Sequence, residues 1–359
     1  MTSRNLSRRA FLALGASAVA TTLAPGGVAQ PRSYYAPEER TTYPLSGQFW
    51  TPPSPPQVTG RPVDCVVMSD YAKRTYAFID GKLAWTRDSA DSWPRSASIF
   101  EGNLFVVEGP QVIVIDPKTG DERRRIGIPG FHAAVNAIDV RYWDSQIVVT
   151  LSFDRGGSTT WSEGESVHCL TLNEQGLEEF YRCPVNSVHP RHAEWGRLGL
   201  IVSDTFGGAV RIIDPITSRV LASTDVYFPN TATLLDDDTI LICSEHGNRI
   251  FRWDPLNGQR FMVFGAPVWP FTNLEIDGEL LSELELDTAD PASKLTPKIS
   301  KCAEEIAGSY TLYSPNSAVE NSGRMIVSDC DNHRVIVLHE GVIQTVITGF
   351  NNPVNAVFI

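Results

Sequence analysis

The clearest repeated pattern is PNSAVENSGRMIVSDCDNHRVIVL, which spans residues 315–338. It holds an apolar segment that ends in Ser328-Asp329, then a short polar turn and a second apolar segment. The same arrangement recurs around Ser69-Asp70, Ser203-Asp204 and Ser244-Glu245. Short apolar segments separated by polar turns are typical of β-strands. The sequence therefore predicts a series of hairpins built on one plan.

A second repeated element is a turn of the form Asp-Pro-x-Thr/Asn-Gly/Ser. It occurs at residues 116–120, 214–218 and 254–258, and looser versions lie at 80–81 and 173–176. Proline presets φ, and aspartate, asparagine or glycine closes the turn, so each site favours a hairpin. Most of these turns follow one another at intervals of about 40 residues, which is the period of a β-propeller blade.

We predict an all-β protein whose fold is a β-propeller with six blades, and seven blades are the alternative. The alternative arises because the last interval, from the turn at 254–258 to a turn near residue 339, is long enough for about two units and contains residues 265–312. This segment offers one hairpin at 274–286 and a helical pattern at 298–308. Because that is less than a full blade, the segment is expected to be an insertion into a six-bladed ring.

The end of the chain predicts how the ring closes. Residues 352–359 read NPVNAVFI and match the starts of other units, such as Pro229-Asn230 and Pro315-Asn316. We therefore expect the C-terminal strand to become the inner strand of the first blade, whose outer strands begin near Val63. Such pairing removes the open edge that an incomplete blade would leave.

The N-terminus predicts export. Residues 7–12, SRRAFL, resemble the twin-arginine consensus, and residues 10–24 form a weakly apolar stretch that is too short to span a bilayer. A small-x-small cleavage site follows at Gly27-Val28-Ala29. We expect residues 1–29 to be a signal peptide that engages the twin-arginine translocase. The mature protein is then periplasmic or secreted, with no membrane span.

Residues 30–62 have a different composition from the rest of the chain. The proline-rich run at 51–56 favours polyproline II and cannot pair inside a sheet. We therefore interpret this segment as an extended lead-in to a propeller formed by residues 63–359.

Charge and cysteine usage exclude some functions. The formal net charge is −12 and becomes more negative when the arginines of the signal are removed. Nucleic acid is not an expected partner, because phosphate binding needs clustered cations. An oxidising compartment permits disulfides among the six cysteines, and Cys169 with Cys183 is the first candidate pair. No haem-attachment or Gly-rich phosphate motif is present, so no redox cofactor is expected.

Residues 315–335 resemble an NHL repeat, a pattern that runs from an initial proline to Val-Ser-Asp-x-x-Asn-x-Arg-Val. Residues 229–251 resemble it with Glu245 in place of the aspartate, and the unit around Asp204 keeps the acid but lacks the arginine. The resemblance implies a six-bladed propeller. Propellers of this kind include scaffolds, lactonases similar to gluconolactonase, and the lyase that completes peptide amidation.

The starts of the inner strands should converge at the mouth of the central channel, and they are rich in asparagine and histidine. The predicted ligand-binding residues are His132, Asn136, His189, His192 and Asn355, and the predicted metal ligands are Asn230 and Asn316. Asparagine carbonyls suit Ca²⁺ and histidines suit Zn²⁺. The gluconolactonase-like resemblance implies a divalent cation held partly by a Pro-Asn motif, and the amidating lyase implies three zinc-binding histidines. The alternative is that each asparagine caps a turn.

Four carboxylates, each directly after a serine, recur at equivalent positions of the repeats. Repetition of this kind usually serves the fold. The carboxylates are Asp70, Asp204, Glu245 and Asp329, with Arg74, Arg249 and Arg334 as expected partners. We expect them to hold turns at the end of the second strand, away from the channel mouth.

Together these features predict an exported propeller with a divalent-cation or polar-ligand site at the channel mouth. It would act as a lactonase-like hydrolase or a lyase on a small molecule or peptide. The alternative is a scaffold without catalytic activity that binds a protein, peptide or glycan through its loop face.

Overall fold

The computed structural model describes residues 55–69, 73–89, 95–129, 134–154, 166–183, 187, 189–265, 312, 314–330 and 332–359. The predicted signal peptide, most of the lead-in and the interior of the 265–312 insertion lie outside the described residues. So do the hairpin and helix predicted within that insertion. In the described part, regular structure consists of strands in six antiparallel sheets. None of its segments is a helix long and apolar enough to cross a membrane.

Each sheet is one blade, and the blades are numbered along the chain. The first strand, which precedes blade 1, is β1 (Gln57–Gly60). Blade 1 contains β2 (Cys65–Ser69), β3 (Arg74–Ile79) and β4 (Lys82–Asp88). Blade 2 contains β5 (Ala97–Phe100), β6 (Asn103–Glu108), β7 (Gln111–Ile115) and β8 (Glu122–Gly127). Blade 3 contains β9 (Ala134–Trp143), β10 (Gln146–Asp154), β11 (Ser166–Leu172) and β12 (Leu177–Arg182).

The second half of the ring follows the same order. Blade 4 contains β13 (Pro190–Gly196), β14 (Gly199–Asp204), β15 (Ala209–Ile213) and β16 (Val220–Asp225). Blade 5 contains β17 (Pro229–Leu234), β18 (Ile240–Ser244), β19 (Arg249–Trp253) and β20 (Arg260–Phe264). Blade 6 contains β21 (Pro315–Asn321), β22 (Arg324–Asp329), β23 (Arg334–His339) and β24 (Val342–Thr348), and the chain ends with β25 (Pro353–Phe358).

The sequence of each strand reflects its depth in the blade. Every residue of β2, β14 and β18 is buried, because neighbouring blades cover both faces of these second strands. The outermost strand β16 alternates exposed and half-buried residues, because one of its faces meets solvent. The hydrophobic clusters lie between adjacent blades, so the core is a ring of blade interfaces.

The predicted closure of the ring is confirmed. Strand β25 pairs with β2 in antiparallel register, with Val357 opposite Val66 and Ala356 opposite Val67. It is therefore the inner strand of blade 1. Phe350, which precedes it, packs edge-on against Tyr76 with 5.4 Å between ring centroids. The all-β, six-bladed fold predicted from the turns is thus the fold of the protein.

The end of the predicted lead-in also takes part in closure. Strand β1 pairs with β24, so blade 6 has a fifth strand at its outer edge. Gly60 in β1 has φ of 104°, and a Cβ there would lie 2.2 Å from the backbone oxygen of Gln344. Only glycine fits this close approach. Both ends of the described chain therefore join the seam between blades 6 and 1.

The candidate disulfide pair, Cys169 and Cys183, is not bonded in the structure. Both residues are buried in the hydrophobic cluster between blades 3 and 4, and no disulfide joins them. Burial raises the pKa of the Cys169 thiol well above its usual range. Both cysteines therefore act as small apolar side chains of the core.

Candidate functional site

Five of the six inner strands share an irregularity near their start. Each has one residue that lacks an opposite residue on the second strand, which is the mark of a β-bulge. The bulge residues are Asn136, Arg191, Asn230, Asn316 and Val354. In blade 2, Arg95 stands just before β5. A bulge re-aims its side chain, so these positions can face a common axis.

All six of these residues line one cavity at the mouth of the central channel. Its volume is about 80 Å³. The other lining residues are Ser96, Ala137, His192, Thr231 and Asn355. At 10–15 Å³ for each water centre, this volume holds roughly five or more waters or one small molecule. Each blade thus contributes to a single polar pocket.

One side of the cavity is organised by Arg95. Its Nη1 donates a hydrogen bond to Asn136 Oδ1 at 3.0 Å. Asn136 Nδ2 in turn donates to the backbone oxygen of Pro190 at 3.3 Å. These two hydrogen bonds connect blades 2, 3 and 4, and hold the guanidinium of Arg95 against the cavity.

The other side of the cavity is organised by Glu245. Its Oε2 accepts hydrogen bonds from Arg191 Nη1 at 2.8 Å and from Asn230 Nδ2 at 2.9 Å. Asn230 Nδ2 also donates to Asn316 Oδ1 at 2.7 Å. These bonds connect blades 4, 5 and 6. The expected pairing of Glu245 with Arg249 is wrong, because Glu245 instead serves the channel mouth.

The predicted placement of the serine-linked acids is also wrong. In blade 6, Asp329 lies opposite Pro315, and in blade 4, Asp204 lies opposite Pro190. The second strand runs antiparallel to the first, so its end returns to the mouth where the first strand began. The acids therefore stand beside the cavity end of each blade and not at the far end.

The structural role predicted for two of these acids agrees with their contacts. Asp329 Oδ2 accepts hydrogen bonds from Arg334 Nε at 2.7 Å and from Asn332 Nδ2 at 2.8 Å. Asp204 has the equivalent role, with an ion pair to Arg211 in place of the missing arginine of the NHL pattern.

The expected pairing of Asp70 with Arg74 is not tested, because Asp70 lies outside the described residues. Within them, Arg74 forms an ion pair with Asp88 on the outer strand of its blade.

Residues next to the bulge also form hydrogen bonds between neighbouring blades. Asn355 Oδ1 accepts a hydrogen bond from the backbone nitrogen of Ala97 at 3.2 Å. Thr231 Oγ1 accepts one from Ala318 at 3.3 Å. Asn355, predicted to bind a ligand, thus also links blades 1 and 2.

The structure brings most of the predicted site residues together. Asn136, His192, Asn230, Asn316 and Asn355 all line the cavity. His189 does not line it, since its buried ring packs on Phe206 with 4.8 Å between centroids. His132 lies outside the described residues. Within the described part of the chain, no cluster of three or more His, Cys, Asp or Glu could hold a metal ion.

The donors of the cavity do not fit a divalent cation. Asn316 Oδ1, the oxygen expected to bind the metal, accepts a hydrogen bond from Asn230. Two guanidinium groups, those of Arg95 and Arg191, line the same cavity, and its described lining contains no carboxylate. Ca²⁺ sites are built from several oxygens that usually include carboxylates, and neighbouring cations oppose them.

No protein-family model matches this chain, and neither does any curated protein. Solved structures do resemble it. A protein of unknown function from Bacteroides caccae is 12% identical, covers 82% of this chain and 98% of its own, and has a TM-score of 0.56. A catalytically inactive virginiamycin B lyase from Staphylococcus aureus with quinupristin is 12% identical, covers 82% and 99%, and has a TM-score of 0.47. At this identity the likeness concerns the fold alone.

Sequence reasoning missed Arg95 and Arg191, although a signal for both was present. Five of the six inner strands share a Pro-x-x-Ala pattern, as in Pro229 to Ala232 and Pro315 to Ala318. Arg95 and Arg191 occupy its second position, the one that Asn230 and Asn316 occupy. Alignment on this proline and alanine would have identified both arginines as channel residues.

His192 is the lining residue of the cavity that can change its charge near neutral pH, whereas Arg95 and Arg191 stay charged. Burial lowers its pKa to about 4 and Arg141 acts in the same direction, while Asp139 and the backbone of Ala232 oppose them. Its buried Nδ1 has no hydrogen-bond partner among the described residues. The imidazole is therefore neutral at pH 7 and a weak base.

The depressed pKa of His192 predicts a loss of stability in acid. Between pH 6.5 and pH 4 the unfolded chain binds a proton at this residue and the folded chain does not, so stability falls as the pH falls. We expect His192 to contribute about 1–3 kcal/mol to this loss. Urea unfolding at pH 7 and pH 4.5 should show a smaller loss for His192→Gln than for the native protein. His339→Gln in blade 6 is the control, and an equal loss in all three proteins would contradict the prediction.

Proposed function

We propose that the protein is an exported six-bladed propeller that recognises a small polar molecule at the mouth of its central channel. One observation carries this proposal: all six blades contribute side chains to a single cavity whose lining is mostly polar and includes four amides and two guanidinium groups. A channel mouth that served only packing would not need charged side chains from separate blades. Export is supported by the twin-arginine motif at residues 7–12, and cell fractionation tests it.

The geometry supports recognition better than the hydrolase or lyase activity expected from the NHL resemblance. Proton transfer at neutral pH needs a base whose pKa lies near the working pH. His192, with a pKa of about 4, is a poor match, and the described lining has no carboxylate. Arginine and asparagine side chains instead offer a dense set of hydrogen-bond donors, which suits binding and orientation.

The proposal is tested by filling the cavity. Val354 is the apolar residue among the five bulge residues and Arg95 that line the cavity. Val354→Phe therefore adds bulk without removing a polar contact. A library of small polar compounds is screened by thermal shift on the native protein. Compounds that bind at the mouth should lose at least about tenfold in affinity for Val354→Phe.

Val220→Phe is the matched control for this screen. Val220 lies on the outer strand of blade 4 and is 46% exposed, so the same substitution there leaves the channel untouched. If every stabilising compound acts equally on Val354→Phe and on the native protein, the mouth is not the binding site. A scaffold that binds a partner protein through its loop face would tolerate both changes.

A further inference from the structure

We propose that the molecule bound in this cavity is a small oxyanion, a carboxylate or a phosphate, held between Arg95 and Arg191. This inference rests on the function proposed above and names the chemical class of the ligand. Both arginines line the cavity, and they come from blades 2 and 4. Guanidinium groups bind carboxylates and phosphates through charge-assisted, often bidentate, hydrogen bonds.

Arg95 is a charged group without a counter-ion among the described residues. It is half-buried, and its one hydrogen bond in the described structure is the donation from Nη1 to Asn136 Oδ1. No described carboxylate lies within ion-pair distance of it. A partly desolvated guanidinium that bonds only to a neutral amide leaves most of its donors for another partner. An anion in the cavity would supply the missing charge.

Arg191 shows what this corner of the cavity binds. One of its terminal nitrogens donates to Glu245 Oε2, and Asn230 donates to the same oxygen. Its Nε is buried and has no hydrogen-bond partner in the part of the chain that the structure describes. A carboxylate held by a guanidinium and an amide is thus already present inside the protein. The remaining donors of Arg191 and Asn316 can donate hydrogen bonds to a ligand carboxylate or phosphate in the same way.

The charge of the cavity contrasts with that of the whole chain. The protein carries a formal net charge of −12, yet the described cavity lining holds two cations and no anion. Even after pairing with Glu245, one positive charge remains. A concave site of one sign concentrates ligands of the opposite sign, because its low-dielectric walls focus the field. The same field opposes a divalent cation, in agreement with the donor set.

The volume limits the size of the anion. About 80 Å³ accommodates roughly five or more waters, which corresponds to an inorganic oxyanion or a small organic acid. The apolar side chain of Val354 and the methyl of Ala137 are the apolar parts of the lining. They leave room for a short carbon chain next to the charged head.

Isothermal titration of the full chain with three probes tests this inference: succinate, inorganic phosphate and the neutral isostere succinamide. Ionic strength is kept constant with sodium chloride. We expect succinate or phosphate to bind and succinamide to bind at least about tenfold more weakly. Arg95→Gln should weaken oxyanion binding by about tenfold or more, and Arg95→Lys by less, because lysine keeps the charge and loses the fork.

Arg182→Gln is the matched control. Arg182 is an exposed arginine whose side chain contacts Glu179 on the outer strand of blade 3, far from the cavity in the blade. Its replacement should leave oxyanion affinity unchanged. Urea midpoints of all variants establish that they are folded.

The possible outcomes separate the two proposals. If succinamide binds as tightly as succinate, and both are blocked by Val354→Phe, the mouth is a ligand site but the oxyanion inference is wrong. Equal oxyanion affinity for Arg95→Gln and the native protein would also overturn it. If no probe binds and no screened compound is sensitive to Val354→Phe, the proposed function itself fails. If both oxyanions bind, the ratio of their affinities shows whether the site prefers a carboxylate or a phosphate.

Discussion

Replacing Val357 with aspartate is expected to destabilise the protein by about 3–5 kcal/mol, because the change places an unpaired charge on the buried strand that closes the ring. Val357 lies in β25 and is 6% exposed, in the hydrophobic cluster between blades 1 and 2. Single domains have total stabilities of about 5–15 kcal/mol, so much of the population should unfold. The loss is measured by urea unfolding followed by circular dichroism.

Val342→Asp is the control for this substitution. Val342 also lies in a strand, β24, but it is 56% exposed and its side chain meets water. The same chemical change there should alter stability by no more than about 0.5 kcal/mol. Similar losses for the two variants would show that the C-terminal strand contributes no more than an outer strand, and that its closure of blade 1 is not essential.

The fold was predictable because its signals are local. The Asp-Pro turns recur with the period of one blade, and the run that begins at Pro353 copies the starts of earlier blades. The turn residues and the strand pattern act within a few positions of each other, so a single sequence is enough to read them. The prediction of Asn136, Asn230 and Asn316 at the mouth followed from the same repetition.

The partners of charged residues could be predicted in this way within a blade, as for Asp329 and Arg334, but not between blades. Glu245 binds Arg191, which lies 54 positions away in another blade, and not the nearby Arg249. Such pairs depend on how the blades are placed around the axis, and no local sequence pattern indicates that placement. The position of the serine-linked acids, in contrast, could have been predicted from the sequence. Antiparallel pairing alone dictates that the second strand of a blade returns to the channel mouth.

Glu194 is another charged residue whose role appears only in three dimensions. Its side chain is fully buried in the inner strand of blade 4. Arg141 of blade 3 contacts Glu194 Oε2 at 2.8 Å, and the backbone nitrogen of Leu234 in blade 5 donates to Glu194 Oε1 at 3.1 Å. Burial raises the pKa of Glu194, while Arg141 opposes that effect. One side chain thus connects three consecutive blades.

We expect Glu194→Ala to cost about 3–5 kcal/mol in the free energy of unfolding. The change removes the partner of Arg141, leaves the Leu234 N–H without an acceptor, and opens a cavity between blades. Glu194→Gln should cost less, because its side-chain oxygen still accepts a hydrogen bond from Leu234. Glu178→Ala, an exposed glutamate of the outer strand β12, should change stability by no more than about 0.5 kcal/mol.

The three variants together distinguish packing from polar linkage. If Glu194→Ala and Glu194→Gln lose the same stability, the ion pair with Arg141 accounts for the effect. If only the alanine variant loses stability, the hydrogen bond to Leu234 and the filled volume account for it. A loss for Glu194→Ala no larger than that for Glu178→Ala would mean that the inner strands are held by their hydrophobic interfaces alone. Urea denaturation at pH 7 measures all three.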